Sequence, residues 1–291
     1  MKKQLLLTFA VLIIIWNLGC KKEKEKSVKQ TDTNQVVSTD TAHNTYYLIP
    51  SPEDIFGFSE AKNLVFNAEY LNPVENLQKY NSTKLQEINF GVYSADLAYC
   101  AAFNKKDETS KYLDIVMQLS DKIGIEEVFD QNLINRIKNL SPNKDSLIKI
   151  SNDAYFKITG FLEKNNRQNT MALVATGGWI EVMYLVVNPT EYKDIETVQK
   201  IADQKKIFSN LMNFLRQYKS DPNVASVIES LKPLEDIYNQ LKTKSIEKQQ
   251  KQQGDKIVVG GNKQIVITKE QYEKLKQTII KIRNNFTLNN V

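Results

Sequence analysis

The sequence predicts an all-α protein, a bundle of about eight to ten helices with one small β-hairpin just before the last helix. Three observations carry this. Stretches of apolar residues at helical spacing recur from Lys84 to Ile282, bounded by Pro, Gly or polar clusters. Two of those stretches are apolar all round, as helices at the centre of a core are. Strand-like patterning is confined to a short segment around Gly260-Gly261.

The elements follow in order. Ser51-Pro52-Glu53-Asp54 reads as a helix start: Ser can cap, Pro suits the first helical position, and acids favour the positive end of the dipole. Asn72-Pro73-Val74-Glu75 repeats the device. Helices are expected over Lys84–Phe103 and Asp107–Ile123, the second ended by Gly124. Shorter helical pieces cover Ile125–Asn139. Ser141-Pro142 opens a further helical region through Asp145–Asn165, and Asn165–Asn169 is a polar turn. Thr170–Val187 is strongly apolar and stops before Pro189. Glu191–Tyr218 and Asn223–Gln250 read as two long amphipathic helices. Pro233 should kink or split the second, because it removes a backbone donor.

The tail breaks this pattern. Ile257–Val259 and Gln264–Ile267 flank Gly260-Gly261-Asn262-Lys263, a hairpin signature. A lone hairpin is marginal in water, so it must lean on helices. Thr268, with Gln271 three residues on, predicts a capping box. The helix it starts carries Tyr272, Leu275, Ile279 and Ile282 on one face.

The other end of the chain carries a different signal. Met1-Lys2-Lys3 is cationic, Leu5–Trp16 is apolar apart from Thr8, and Asn17-Leu18-Gly19-Cys20 follows. That is the layout of a cleaved secretory signal. The apolar run is shorter than the ~18 residues a membrane-spanning helix needs. Lys21 to Thr45 is polar and too poor in apolar residues to offset the entropy of ordering, so it reads as a tether. The expected organisation is a signal over 1–19, a tether over 20–45, and one helical domain over 46–291 whose hairpin-helix unit starts near 256.

Composition excludes several chemistries. The formal net charge is +5, two units of it from Lys2 and Lys3. Arginine occurs only at Arg136, Arg167, Arg216 and Arg283. Lysine is a poor bidentate reader of base edges, so nucleic acid is not an expected partner. The single histidine, His43, falls in the tether. The domain therefore lacks the base for a Ser-His-Asp or Cys-His pair and the ligands of a His/Cys zinc site, and no cofactor is expected. Cys100 lies in an apolar stretch and reads as a small core residue.

The two all-apolar helices each hold one acid. Asp96 shares a helical face with Tyr93 and Tyr99, and Glu181 shares one with Gly177, Gly178 and Tyr184. A carboxylate in such a place must find donors or take up a proton. The tyrosine hydroxyls are the expected donors. These seven residues form the candidate buried polar pocket. One reading has the acids fixing helix register; the other has them meeting a ligand. Gly177-Gly178 costs roughly 1 kcal/mol per Gly against Ala, which points to close helix approach, or else to a ligand against bare backbone.

Gly19-Cys20 resembles the lipobox of bacterial lipoproteins, with Asn17 departing from the usual Leu. Gly91–Tyr99, Gly177–Glu181 and Ile267–Gln271 resemble recurring elements of a group of uncharacterised bacterial lipoproteins. The resemblance implies lipid attached to Cys20, membrane tethering, and, from Lys21 after the cysteine, an outer-membrane location. It implies no activity. The alternative at Cys20 is an ordinary secretory signal. The expected function is a non-enzymatic binding or structural module of the cell envelope, its partner an envelope protein or small ligand. The competing reading is a glycoside-type hydrolase with Asp96 and Glu181 as its two acids, which should then stand about 5–10 Å apart across an open cleft.

Overall fold

A computed structural model describes residues 65–139, 144–246 and 262–288. The signal, the tether, His43, Ser51-Pro52 and Ile257–Val259 lie outside them. The described residues belong to one compact unit within Asp40–Val291.

The chain enters through two short 3-10 turns, Ala68–Tyr70 and Val74–Lys79. Nine α-helices follow among the described residues: α1 (Thr83–Ala102), α2 (Lys106–Lys122), α3 (Gln131–Lys138), α4 (Lys144–Lys164), α5 (Gln168–Val187), α6 (Ile195–Asp203), α7 (Lys205–Gln217), α8 (Pro222–Gln240) and α9 (Lys269–Thr287). Strands β1 (Lys242–Ile246) and β2 (Asn262–Val266) form an antiparallel pair between α8 and α9. The protein is all-α with one small hairpin before its last helix.

Helix α5 is the hub. It packs on α1, α4, α7, α8 and α9, so most of its surface is covered. This is why its sequence lacks an amphipathic stripe. It is long and apolar enough to cross a membrane, with a mean hydropathy of 1.6 in its most apolar window, yet 78% of that window is buried in the fold. Helix α1 is its principal partner. Gly91 and Gly177 set how closely the two approach. A Cβ built on Gly177 would stand 1.9 Å from the Ile88 carbonyl oxygen, and one on Gly91 would stand 2.0 Å from that of Val174. The glycine cost is thus offset by backbone-to-backbone packing that no larger residue permits.

The helix ends follow local chemistry. Ser82, Asp130, Asp194 and Asp221 each accept a backbone N–H in the first turn of the helix they precede. The Thr268–Gln271 capping box forms in full. Gly124, at φ +63°, ends α2, and the Arg167 guanidinium donates to the Ile123 and Gly124 carbonyls there. Asn166 takes φ +55° in the polar turn before α5.

Four expectations are corrected. Asn72-Pro73 starts a 3-10 turn rather than an α-helix, with no side-chain cap. Glu191–Tyr218 is not one helix: α6 and α7 meet at Gln204, whose Oε1 accepts the buried Trp179 indole N–H at 3.1 Å. The break places a polar partner for Trp179 that helical periodicity does not reveal. Asn223–Gln250 ends as a helix at Gln240, while Pro233 leaves α8 unsplit. The partner that β2 shows among the described residues is Lys242–Ile246, in register Lys242↔Val266 to Ile246↔Asn262, and the expected Ile257–Val259 lies outside them. Lys-Thr-Lys-Ser-Ile resembles the end of a polar helix, and Gly260-Gly261 suggested a tight local turn; the pairing is instead long in sequence. The hairpin does lean on helices. Gln199 of α6 donates to the Ile265 carbonyl, and the Tyr192 hydroxyl donates to that of Ile267.

Candidate functional site

Asp96, at mid-α1, and Glu181, at mid-α5, are both fully buried. Glu181 meets Arg283 of α9 in a two-pronged ion pair, Nε to Oε2 at 2.8 Å and Nη2 to Oε1 at 2.9 Å. The Arg283 guanidinium lies 4.3 Å from the centroid of the Tyr184 ring and also donates to the Tyr70 carbonyl. Burial alone favours loss of the Arg283 proton, but the Glu181 charge and its hydrogen bonds, with smaller contributions from Asp96 and Tyr184, together outweigh it and the pKa is raised. The planar fork, the ring stack and the matched carboxylate are what make a buried guanidinium tolerable.

Asp96 has no such cation to itself. Its Oδ2 accepts the Asn72 backbone N–H at 3.1 Å. Burial, and then the neighbouring Glu181 charge, push its carboxyl well above the usual range, against Arg283 and the Asn72 amide. One guanidinium balances one carboxylate, so Asp96 is the acid that takes the proton. As a carboxylic acid it is a donor. Its Oδ1 has no hydrogen-bond partner among the described residues.

The tyrosines do not serve the acids, which corrects the expected donor set. Tyr93 donates to the Pro73 carbonyl at 2.8 Å, Tyr99 to that of Val65 at 3.1 Å, and Tyr112 to that of Asn72 at 2.9 Å. The Tyr99 oxygen also accepts the Asn67 N–H. These hydroxyls, the Asn72–Asp96 bond and the Arg283–Tyr70 bond together strap residues 65–80 across the helices. That segment bonds directly to Asp96, which is fully buried. At its far end the Tyr80 hydroxyl accepts from Asn72 and donates to the Thr287 carbonyl. The Asn89 amide donates to the Phe286 carbonyl, so α1 and the strap both hold the end of α9.

The predicted residues therefore divide by role. Asp96, Glu181 and Tyr184 converge on Arg283. Tyr93 and Tyr99 hold the strap. Gly177 belongs to the α1–α5 contact, while a Cβ on Gly178 would meet nothing nearer than 3.5 Å. Cys100 is fully buried, and burial pushes its thiol up, away from the reactive thiolate. Arg283 was missed by sequence reasoning, although Leu275, Ile279 and Arg283 continue one four-residue spacing on the buried face of α9.

A second feature was also missed. A cavity of about 210 Å³ lies between α1, α4 and α5, lined by Ala95, Ala98, Ile150, Ala154, Val174 and Trp179 among others. Val174, Ala175 and Gly178, half-buried in a mostly buried helix, all line this space. No Asp, Glu, Lys or Arg lines it among the described residues.

No family model matches the chain, and no curated protein or solved structure shows significant similarity to it.

Proposed function

We propose that this chain is an exported lipoprotein, held on a membrane (the outer one, by the residue after the cysteine) through acyl chains on Cys20. Its helical body works as a non-enzymatic binding or structural module. The supporting observation is the fate of its two best catalytic candidates. Asp96 and Glu181 are fully buried, one under the strap and one on Arg283. A glycoside-type hydrolase needs both acids free to flank a substrate. These two instead hold four parts of the fold together: the strap, α1, α5 and α9.

The anchor rests on the order of features in the first 45 residues: a cationic start, an apolar run, Gly19-Cys20 and a polar tether. More than one acyl chain gives stable attachment, since each buried CH₂ contributes about 0.8 kcal/mol. The test is metabolic labelling with a palmitate analogue in cells that make the full chain. Label should enter the wild-type protein and be lost in Cys20→Ser, which should also leave the membrane fraction. Equal labelling of the two proteins would refute the anchor.

A further inference from the structure

The apolar cavity adjoins a recess of mixed, more polar character. This second space, about 180 Å³, is lined by Asn104, Lys106, Thr109, Ser110 and Lys138, and Ala101 and Ile137 line both. Among the described residues neither space is lined by an acid. Lys106 and Lys138 are both exposed, and neither has an ion-pair partner among the described residues. An apolar chamber that meets two free ammonium groups has the polarity of an amphiphile with an anionic head.

Inside the chamber polar groups are few: the hydroxyl-bearing residues that line it are Ser94, Ser151, Tyr155 and Thr159. The Ser94 hydroxyl donates to the Phe90 carbonyl and that of Thr159 to the Tyr155 carbonyl, each within its own helix. Small residues of α1, Ala95 and Ala98, leave the volume, and α4 covers it with half-buried side chains such as Ile150 and Ile158. A dry cavity of about 150 Å³ is enough for benzene, so this one takes a longer apolar group. We infer that the two spaces form one site for a single-chain amphiphile of the fatty-acid class, its alkyl chain in the α1–α4–α5 cavity and its carboxylate at Lys106 and Lys138. The inference rests on the binding reading of the helical body and is independent of Cys20. A failed anchor shows in palmitate labelling, and a failed site shows in the signal below.

Trp179 lines the cavity, and the chain has one other tryptophan, Trp16. The full chain carrying Trp16→Phe and Cys20→Ser therefore reports on the cavity alone, free of its own acyl chains. 10-Bromodecanoate should quench Trp179 emission saturably. Filling the chamber from either wall, with Ala98→Phe or Ala154→Phe, should weaken binding at least about tenfold. Circular dichroism checks that each variant is folded, and the two walls guard against either one failing. Lys106→Gln with Lys138→Gln should weaken the acid about fivefold, the range of an exposed charge pair, and leave 10-bromodecan-1-ol unchanged. Absence of saturable quenching, or quenching indifferent to both filling variants, would overturn the site. Equal binding of acid and alcohol that ignores the lysines would overturn the anionic head.

Discussion

Gly177 and Gly178 are neighbours in one helix, yet alanine should act on them with opposite sign. In both cases alanine gains roughly 0.8–1 kcal/mol of helix propensity. At Gly177 the new Cβ would lie 1.9 Å from the Ile88 carbonyl oxygen and 2.8 Å from its carbon. Both are backbone atoms inside α1, so no side-chain rotation relieves the clash. The helices would have to part by roughly 1 Å or more along their tightest contact, where Gly91 meets Val174 at 2.0 Å in the same sense. Overpacking of this kind costs about 1–3 kcal/mol or more, and rigid backbone places it at the upper end. The net expectation is a loss of about 2 kcal/mol. At Gly178 the nearest atom is 3.5 Å away, an ordinary contact, so the propensity gain survives. For a chain of this size 1 kcal/mol moves Tm by about 2–4 °C. Thermal unfolding followed by circular dichroism should thus show Gly177→Ala down by about 4–8 °C and Gly178→Ala level or up by about 2–4 °C. Equal shifts for the two, or a Gly177→Ala protein as stable as wild type, would refute the close approach of α1 and α5.

Further expectations concern the buried polar groups. The Asp96 pKa is raised in the folded state. Between its unfolded value, near 4, and its folded one, the native protein holds one more proton than the unfolded chain. Stability from this group is therefore full at low pH and lost as pH rises through that window. Asp96→Asn keeps an acceptor for the Asn72 N–H without a proton to lose. Urea unfolding from pH 4 to 7 should show Asp96→Asn gaining on wild type by at most about 1.4 kcal/mol per pH unit; a difference that does not vary with pH would count against a neutral Asp96. Gln204→Ala strands the buried Trp179 indole N–H and should cost about 1–3 kcal/mol in the same assay, with Gln204→Glu, which keeps an acceptor, costing less. No loss in Gln204→Ala would mean that the α6–α7 break owes nothing to Trp179.

Much of this architecture was legible in the residues. The order of helices, the two all-apolar members and the capping box at Thr268 are local features, and local features leave local marks. Burial of Asp96 and Glu181 was legible for the same reason, because an acid inside an apolar helix has nowhere else to be. Their partners were not. Arg283 is 102 residues from Glu181, and Asn72 is 24 from Asp96 through a backbone amide that no side-chain pattern announces. The tyrosines misled because a hydroxyl on the same face as an acid is a natural donor to it, while the strap offered carbonyls that suited them better. The hairpin failed similarly: Gly260-Gly261 favoured a local turn, whereas Asn262–Val266 pairs with the distant Lys242–Ile246, and Gln199 of α6 and Tyr192 hydrogen-bond to the Ile265 and Ile267 carbonyls. The cavity is a property of packing among three helices, visible only once α4 is placed.

The central claim is that Glu181 and Arg283 serve the fold rather than chemistry, and a double-mutant cycle on the pair tests it most directly. Removing one member of a buried ion pair leaves a bare charge and costs about 3–5 kcal/mol, whereas removing both together costs much less. Urea unfolding at pH 7 should show Arg283→Met losing about that amount, and Arg283→Met with Glu181→Gln recovering most of it. Additive losses in the double variant, or an Arg283→Met protein as stable as wild type, would contradict the account.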